Sequence, residues 1–288
     1  MDNDSILSIV SNMRQEKTNK LKDYTTLGKE IFIPTRDGET RALIYKPKAS
    51  TASTAVFFDI HGGGFVMGAP ENDDWFCDAI RNDLDLTVIS IDYRLAPENK
   101  FPTDKQDVYD VISYVRTHSD EFGIDAKNMA IGGHSAGGNI ATVVCMIAKE
   151  KKEFSFKCEI LDYPPLDLFT PATQKFYIEG AIPPKIAEMF DKCYRYEEHA
   201  NNLHCSPVYA TNEELKNLPP AIVITCEIDS LRDEAEAYAQ MLIKAGVEVT
   251  AKRFYGVPHG FTISKPDLPE SKEAYKMITD GLRKYLKV

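Results

Sequence analysis

Short apolar runs alternate along the chain with longer segments whose apolar residues recur every three or four positions. Runs of the first kind have the length of buried β-strands, and segments of the second kind have the periodicity of amphipathic helices. The alternation predicts a mostly parallel central sheet covered by helices on both faces, which is an α/β fold. The predicted strands are 54–61, 86–92, 128–132, 156–161, 221–226 and 247–254, and the predicted helices are 73–82, 104–118, 137–149, 232–245 and 271–286.

The N-terminal region has a different pattern. Residues 2–22 are polar, with apolar positions from Ile6 to Met13 at helical spacing, which predicts an amphipathic helix. Two β-like segments, 29–34 and 41–45, flank an Arg-Asp-Gly turn and predict a hairpin.

Residues 164–206 interrupt the alternation and are rich in proline and aromatic residues. A connection this long between two sheet strands is usually functional and is often a lid. We therefore predict one α/β domain over residues 1–288, with a small helical cap formed by about residues 1–25 and 164–206. The alternative is an ordinary helical insertion that does not contact substrate. An acyl-chain preference that is unchanged when Phe176, Tyr177 or Phe190 is replaced would favour that alternative.

The overall charge excludes some classes of partner. The chain has 34 basic and 44 acidic residues, a formal charge of −10, which argues against nucleic-acid or anionic-membrane binding. The sequence shows no signal peptide and no run of about 18 apolar residues that would span a membrane. The six cysteines form no CxxC pair and no Cys/His cluster at zinc spacing, so we expect reduced thiols, a cytoplasmic location and no metal site. A homodimer is left open.

A Gly-His-Ser-Ala-Gly motif occupies residues 133–137, between a predicted strand and a predicted helix. This context is typical of a nucleophile held on a sharp strand-to-helix turn, where neighbouring glycines relieve steric clashes. The N-terminal amides and the dipole of the following helix point toward such a nucleophile. We therefore interpret Ser135 as the candidate nucleophile.

A His-Gly-Gly-Gly-Phe run occupies residues 61–65, at the end of a predicted strand. Consecutive glycines allow the backbone to approach a substrate and to turn its N–H groups inward. Acyl transfer builds negative charge on a carbonyl oxygen, and each preorganised donor there accelerates the reaction by about 10²–10³. The run predicts an oxyanion loop, with Ala136 supplying a further amide. We interpret His61 as a residue that positions this loop, and a flexible glycine turn is the structural alternative.

The candidate base is a histidine that follows the nucleophile in the chain. Three histidines follow Ser135, and His259 lies in a turn-rich loop after the predicted strand 247–254. A loop at a strand end can project an imidazole into a site. His199 and His204 fall in the predicted cap, and we interpret them as surface residues.

The candidate acid should follow the preceding predicted strand, 221–226. Asp229 is our choice there, and Glu227 and Asp233 are the competitors. Asp233 is more simply explained as a first-turn helix residue that the helix dipole favours. In these roles, His259 takes the nucleophile's proton, and Asp229 fixes the imidazole tautomer and stabilises the imidazolium.

Together these motifs resemble the hormone-sensitive-lipase-like group of α/β-hydrolases, which includes bacterial acetyl esterases and carboxylesterases. The resemblance spans roughly residues 56–261, with separate blocks in order at 61–65, 92–98, 101–102, 132–138, 218–220, 229–234 and 259–261. It implies a cap from the N-terminal segment and from an insertion after the sixth strand. It also implies the following site residues: the nucleophile Ser135, the acid Asp229, the base His259 and the oxyanion amides of Gly63, Gly64 and Ala136.

Two positions depart from the pattern of this group. His134 stands where the group usually has aspartate, which changes the charge beside the nucleophile. Ser230 replaces the usual proline after the acid, which loosens the turn that orients Asp229. The segment before Val56 is short for the group, which implies a small cap and an open site.

We therefore predict a serine carboxylesterase that hydrolyses short-chain acyl esters, acetyl to butyryl, through an acyl-enzyme intermediate and without a cofactor. Its expected partner is a small-molecule ester. The candidate substrate-binding residues are Phe65, His134, Phe176, Tyr177 and Phe190. An amidase, deacetylase or peptidase could use the same triad, and cleavage of amides rather than esters would identify it. A non-catalytic small-molecule receptor is the third hypothesis, and absence of Ser135 labelling by an activated phosphonate would favour it.

Overall fold

The strands form one continuous sheet in a computed structural model that describes residues 3–21, 24–48 and 53–288. They are β1 (Lys29–Thr35), β2 (Gly38–Tyr45), β3 (Thr54–Ile60), β4 (Thr87–Ile91), β5 (Ile124–His134), β6 (Glu159–Asp162), β7 (Ala221–Ile228) and β8 (Val249–Pro258). The eight strands lie in the order β1-β2-β4-β3-β5-β6-β7-β8. Strand β2 is antiparallel to both of its neighbours, and all other neighbouring strands are parallel.

Helices connect most of the parallel strands. They are α1 (Asn3–Leu21), α2 (Asp74–Leu84), α3 (Thr103–Thr117), α4 (Ser119–Phe122), α5 (Ala136–Lys151), α6 (Pro184–Tyr194), α7 (Asn212–Leu215), α8 (Arg232–Lys244), α9 (Phe261–Ser264) and α10 (Pro269–Leu286). The parallel connections place the carboxyl ends of β3, β5, β6, β7 and β8 at the same edge of the sheet.

Successive residues of a strand point to opposite faces of the sheet, and the two faces bury different helices. Phe58 and Ile60 of β3 lie in a core with residues of α3, α5 and α8. Phe57 of the same strand lies in a second core with residues of α2 and α10. The predicted fold class, a mostly parallel sheet covered by helices on both faces, is confirmed.

The ends of several predicted elements differ from the observed ones. The predicted strand 128–132 is part of the longer β5, which continues to His134 and so leads directly into the nucleophile motif. The predicted strand 156–161 begins only at Glu159, where its pairing with β5 begins. The predicted helix 2–22 corresponds to α1, and its residues 2 and 22 lie outside the described residues.

The two segments predicted to form a cap both contact the loop that follows β3. Arg14 of α1 donates a hydrogen bond from Nε to the backbone oxygen of Val66 at 2.6 Å. Tyr194, the last residue of α6, stacks on the ring of Phe65 at 3.8 Å and donates a hydrogen bond to Asp104 at 2.9 Å. Residues 1, 2, 22 and 23 of the first segment lie outside the described residues.

The helices and the cysteines agree with the sequence patterns. None of the helices in the described residues has both the length and the apolar character needed to cross a membrane. All six cysteines are buried, and they are free thiols.

Glu159, the first residue of β6, is an ionisable group in the core. It is fully buried beside Thr142 and Cys145 of α5. Burial raises the pKa of Glu159 to about 8, although the polar side chains of Thr142 and Cys145 favour the carboxylate. The same group ionises near pH 4.5 when it is not perturbed. Because the folded state keeps the proton to a higher pH, the stability that this group contributes is complete below pH 4.5 and is lost as the pH rises to about 8.

We expect Glu159→Gln to remove this pH-dependent loss of stability. Relative to wild type, the free energy of unfolding of the variant should rise by about 1.4 kcal/mol per pH unit between roughly pH 5 and 8, and then level off. Urea denaturation across this range measures the difference. Glu213→Gln, on the surface, is the matched control and should show no trend. A stability difference for Glu159→Gln that is constant with pH would contradict the burial argument.

Candidate active site

Ser135 forms the turn between the last residue of β5 and the first residue of α5. Its backbone has φ 54° and ψ −118°, in the half of conformational space that a residue with a Cβ rarely adopts. The flanking glycines allow this turn. A Cβ on Gly137 would lie 1.9 Å from the carbonyl oxygen of Ile60, and one on Gly133 would lie 2.4 Å from the backbone of Gly137. Both glycines of the motif are therefore required by close backbone packing.

Ser135, His259 and Asp229 form a continuous chain of hydrogen bonds. His259 Nε2 lies 2.9 Å from Ser135 Oγ, and His259 Nδ1 lies 2.7 Å from Asp229 Oδ2. Each of the three residues directly follows a strand, namely β5, β8 and β7, so the shared sheet edge brings them together. Asp229 is buried, and its second oxygen accepts a hydrogen bond from the backbone N–H of Leu231 at 3.1 Å. The carboxylate of Asp229 is therefore held in place even though Ser230 replaces the usual proline.

The competing acids and histidines lie outside this chain of hydrogen bonds. Glu227 accepts a backbone hydrogen bond from β8 at 2.7 Å, and Asp233 pairs at the surface with the arginine that precedes it. His204 pairs with an exposed glutamate, and His199 contacts the ring of Phe101. The geometry thus favours Asp229 and His259 over the alternatives that the sequence left open.

The environment of His259 favours its protonated form. Burial lowers the pKa of His259, but the charge of Asp229, the hydrogen bond to it and the charge of Asp162 raise that pKa by more. The net pKa lies above the ordinary value of 6.5. Since a general base must be neutral, the imidazole accepts a proton most readily at a pH above this raised value.

The loop after β3 presents backbone amides beside the nucleophile turn. Gly63 has φ 132° and Gly64 has φ 60°, and a Cβ on Gly63 would lie 1.9 Å from the backbone oxygen of Met67. Within the part of the chain that the structure describes, the N–H groups of Gly63, Gly64 and Ala136 donate no hydrogen bond. These three amides are free to bind an oxygen atom of a ligand.

His61 contacts this loop rather than Ser135. Its ring stacks on Tyr93 at 4.3 Å, and its Nδ1 lies 2.8 Å from the backbone oxygen of Gly62. The hydroxyl of Tyr93 donates a hydrogen bond to the backbone oxygen of His61 at 3.0 Å. These contacts fit the interpretation of His61 as a residue that positions the loop.

A cavity of about 450 Å³ borders Ser135 and His259. This volume is typical of small-molecule sites. Its wall combines α1, the loop after β3, the turn at Ser135, residues of the 164–206 segment and the last two residues of α9. Most of the wall is apolar, including Met13, Phe65, Met67, Leu168, Ile182, Ile186, Phe190, Leu231 and Ile263.

Three of the five predicted substrate-binding residues line this cavity: Phe65, His134 and Phe190. Phe176 and Tyr177 are outside its wall. Phe176 lies against the guanidinium of Arg232 at 3.9 Å, and Tyr177 is 51% exposed. The aromatic composition of the segment correctly indicated contact with the cavity, but it could not tell which aromatic residues face inward.

The side chain of His134 is buried among three carboxylates that the sequence did not bring together. Its Nδ1 lies 2.8 Å from Asp162, and its Nε2 lies 3.8 Å from Asp59. Burial lowers the pKa of His134, but the charges of Asp73, Asp162 and Asp59 and the hydrogen bond to Asp162 raise that pKa to about 9. His134 is therefore a buried cation at neutral pH, directly before Ser135.

Asp59, Asp73 and His134 each offer one atom that could bind a metal ion, and these atoms lie within 4.8 Å of one another. In the described residues the imidazole of His134 already contacts Asp162 at 2.8 Å and Asp59 at 3.8 Å, and we assign the cluster to ion pairing. The only sequence signal for it was the departure from the family pattern at position 134.

Comparisons with known proteins agree with the geometry. The sequence profile for the alpha/beta hydrolase fold matches residues 57–263. An arylesterase from Saccharolobus solfataricus is 34% identical over 259 residues, which are 86% of this chain and 83% of the relative. An ethyl acetate hydrolase from Pseudomonas putida is 28% identical over 270 residues, which are 89% of this chain and 82% of the relative. A solved thermophilic carboxylesterase, cloned from a metagenomic library, has a TM-score of 0.88 at 32% identity and covers 98% of this chain and 97% of its own.

We expect the imidazole of His259 to titrate with a midpoint above pH 6.5, because the Asp229 carboxylate stabilises its charged form. Asp229→Asn should lower this midpoint, because burial lowers the pKa of His259 and the variant lacks the carboxylate charge that raises it. Histidine NMR titration measures both values, with the His259 signals assigned by their loss in His259→Gln. The His134 signals, with a midpoint near 9, provide an internal control that should stay unchanged. A His259 midpoint at or below 6.5 in wild type would contradict the assigned electrostatics.

Proposed function

The chain belongs to the hormone-sensitive-lipase-like group of the α/β-hydrolase family and is a carboxylic ester hydrolase. We propose that it is a serine carboxylesterase with Ser135 as nucleophile. The observation that carries the proposal is the hydrogen-bonded chain from Ser135 Oγ through His259 to Asp229. This arrangement is the one that activates a serine hydroxyl for attack on an acyl carbon.

The first half of the reaction transfers the acyl group to the enzyme. Ser135 Oγ attacks the carbonyl carbon of the ester while its proton moves to His259 Nε2, 2.9 Å away. The C–O bond to the alcohol then breaks, and His259 gives the proton to the leaving oxygen. The products are an acyl-enzyme on Ser135 and the free alcohol.

The second half returns the enzyme to its starting state. A water molecule gives a proton to His259 and attacks the acyl carbon, and His259 passes the proton to Ser135 Oγ as the acid leaves. Asp229 takes no proton in either half. Its carboxylate holds the imidazole through Nδ1–H and stabilises the imidazolium.

The negative oxygen that forms in both halves needs donors that are in place before the reaction. We propose that the amides of Gly63, Gly64 and Ala136 bind this oxygen. One support is that these amides donate no other hydrogen bond within the described residues. A second is that the turn places Gly62 close to Ser135: a Cβ atom added to Gly62 would lie 3.4 Å from the Cβ of Ser135. Such donors are effective because they need no reorganisation when the charge develops.

We further propose that α1 and the 164–206 segment act as a cap that limits the acyl group to short chains, acetyl to butyryl. Met13 of α1 and Leu168, Ile186 and Phe190 of the segment line the cavity with the nucleophile. Gly64 has no room for a side chain because the ring of Phe190 lies 2.6 Å from its Cβ position. A relative that hydrolyses ethyl acetate supports a small acyl group as substrate.

An amidase or deacetylase remains the second candidate function, because the same three residues can cleave either bond. The intact hydrogen-bonded chain argues against a non-catalytic receptor. For the location, six buried free cysteines favour a reducing compartment, and we propose the cytoplasm.

We expect hydrolysis of p-nitrophenyl acetate and butyrate with a kcat/KM that falls toward the octanoate and palmitate. Ser135→Ala should lower kcat by at least about 10⁴-fold, because no other group supplies the nucleophile. The release of p-nitrophenolate measures both effects, and Ser155→Ala, at an exposed position, is the matched control. Activity that survives Ser135→Ala would overturn the nucleophile, and faster cleavage of the palmitate would overturn the short-chain preference. Cleavage of amides alone would favour the amidase.

A further inference from the structure

The 164–206 segment contributes two charged side chains, Lys175 and Asp191, to the wall of the cavity beside Ser135. Both belong to the 164–206 segment, and aliphatic residues such as Leu168 and Ile186 form the wall around them. Neither has a role in the ester cleavage described above. Their function must therefore be structural or must concern the part of the substrate that does not react.

The charge of Lys175 is already compensated by protein groups. Its Nζ lies 2.6 Å from Glu234 Oε2 and also donates a hydrogen bond to the backbone oxygen of Asp167. The other oxygen of Glu234 accepts hydrogen bonds from the backbone N–H groups of Leu166 and Asp167, at 2.7 and 3.1 Å. Lys175 thus ties the segment to α8, which is a structural role.

In the described residues Lys175 and Arg195 pair with Glu234 and Glu197, and Asp191 forms no ion pair of its own. It lies on the same face of α6 as Pro184 and Ala187, which are seven and four residues earlier and also line the cavity. Its side chain is partly buried, and among residues 3–21, 24–48 and 53–288 its carboxylate has no hydrogen-bond partner. Burying a polar group without a hydrogen bond costs free energy. A ligand that donates a hydrogen bond to the Asp191 carboxylate would therefore bind more tightly than one that does not.

The charged groups around Asp191 restrict the kind of donor. Burial raises the pKa of Asp191 to about 7; the positive charges of Lys175 and Arg195 lower it, and the negative charges of Glu234 and Asp167 raise it. Near neutral pH both protonation states occur, and a hydroxyl group can hydrogen-bond to either, as donor or as acceptor. Because Lys175 and Arg195 already stabilise the charged form of Asp191, a neutral donor such as a hydroxyl group is sufficient here. An alkyl group would leave the carboxyl group without a hydrogen bond.

We propose that Asp191 is a specificity-determining residue that hydrogen-bonds a hydroxyl group of the substrate, so that the enzyme prefers esters carrying hydroxyl groups over plain alkyl esters of equal length. The inference rests on the proposed esterase function and adds the substrate class, which is short acyl esters of polyols or of hydroxy acids. The hydroxyl belongs to the alcohol part in the first case and to the acyl part in the second.

Two matched pairs of esters test the proposal and distinguish these cases. The first pair is 2,3-dihydroxypropyl butyrate and propyl butyrate, and the second is p-nitrophenyl 3-hydroxybutyrate and p-nitrophenyl butyrate. Wild type should have the higher kcat/KM for the hydroxylated member of at least one pair. Asp191→Leu should reduce that preference about tenfold, the effect of losing one hydrogen bond to a charged group. Asp191→Asn keeps an acceptor and should give an intermediate value.

Glu188→Gln is the matched control, since it makes the same kind of change on α6 at a residue that does not line the cavity. Its preference should equal that of wild type. A wild-type enzyme without preference in either pair overturns the proposal without any variant, and so does a preference that Asp191→Leu leaves unchanged. The plain esters separate the two proposals: if wild type cleaves neither of them, the esterase function itself fails.

Discussion

The backbone conformation of Ser135, with φ 54° and ψ −118°, is the constraint on which the rest of the site depends. A residue held in such a region costs about 1–3 kcal/mol, so the surrounding structure must enforce it. The enforcement comes from the close packing of Gly133 and Gly137 against the end of β3, where a Cβ would meet the backbone of Ile60. The same packing places the loop after β3 next to the nucleophile. One tight contact between β3, β5 and α5 therefore determines where Ser135 Oγ points and where the amides of Gly63 and Gly64 lie.

The second determinant is a set of buried charges around that turn. Asp229 is buried and pairs with His259, while Asp162 pairs with His134 and also raises the pKa of His259. Thr262, in α9, donates a second hydrogen bond to Asp162 at 2.6 Å. The positive charge of His134 thus offsets part of the negative charge of Asp162. Without His134, Asp162 would raise the pKa of His259 further. Buried charges that are paired in this way are tolerated, whereas an isolated one would be strongly destabilising.

Much of the fold and of the core of the site follows from local sequence. Ser135 lies in a motif whose strand and helix are visible in the hydrophobic pattern, and Asp229 and His259 each follow a strand of the same sheet, so their meeting is a consequence of topology. The orientation of side chains in the 164–206 segment has no such periodic signal, and for that reason the sequence did not show that Asp191 lines the cavity and that Phe176 and Tyr177 do not. The pairing of His134 with Asp162 was also missed, because the two residues are 28 positions apart and meet only through the register of β5 and β6.

The central claim, that the strained serine after β5 is the nucleophile, is tested most directly by covalent labelling. The protein is incubated with diethyl p-nitrophenyl phosphate, and the adduct is located by mass spectrometry of the intact protein and of its tryptic peptides. We expect one diethylphosphoryl group per chain, on Ser135, with loss of esterase activity in step with labelling and no labelling of Ser135→Ala. Loss of activity with the adduct on another residue, or full activity on esters with Ser135 labelled, would contradict the claim.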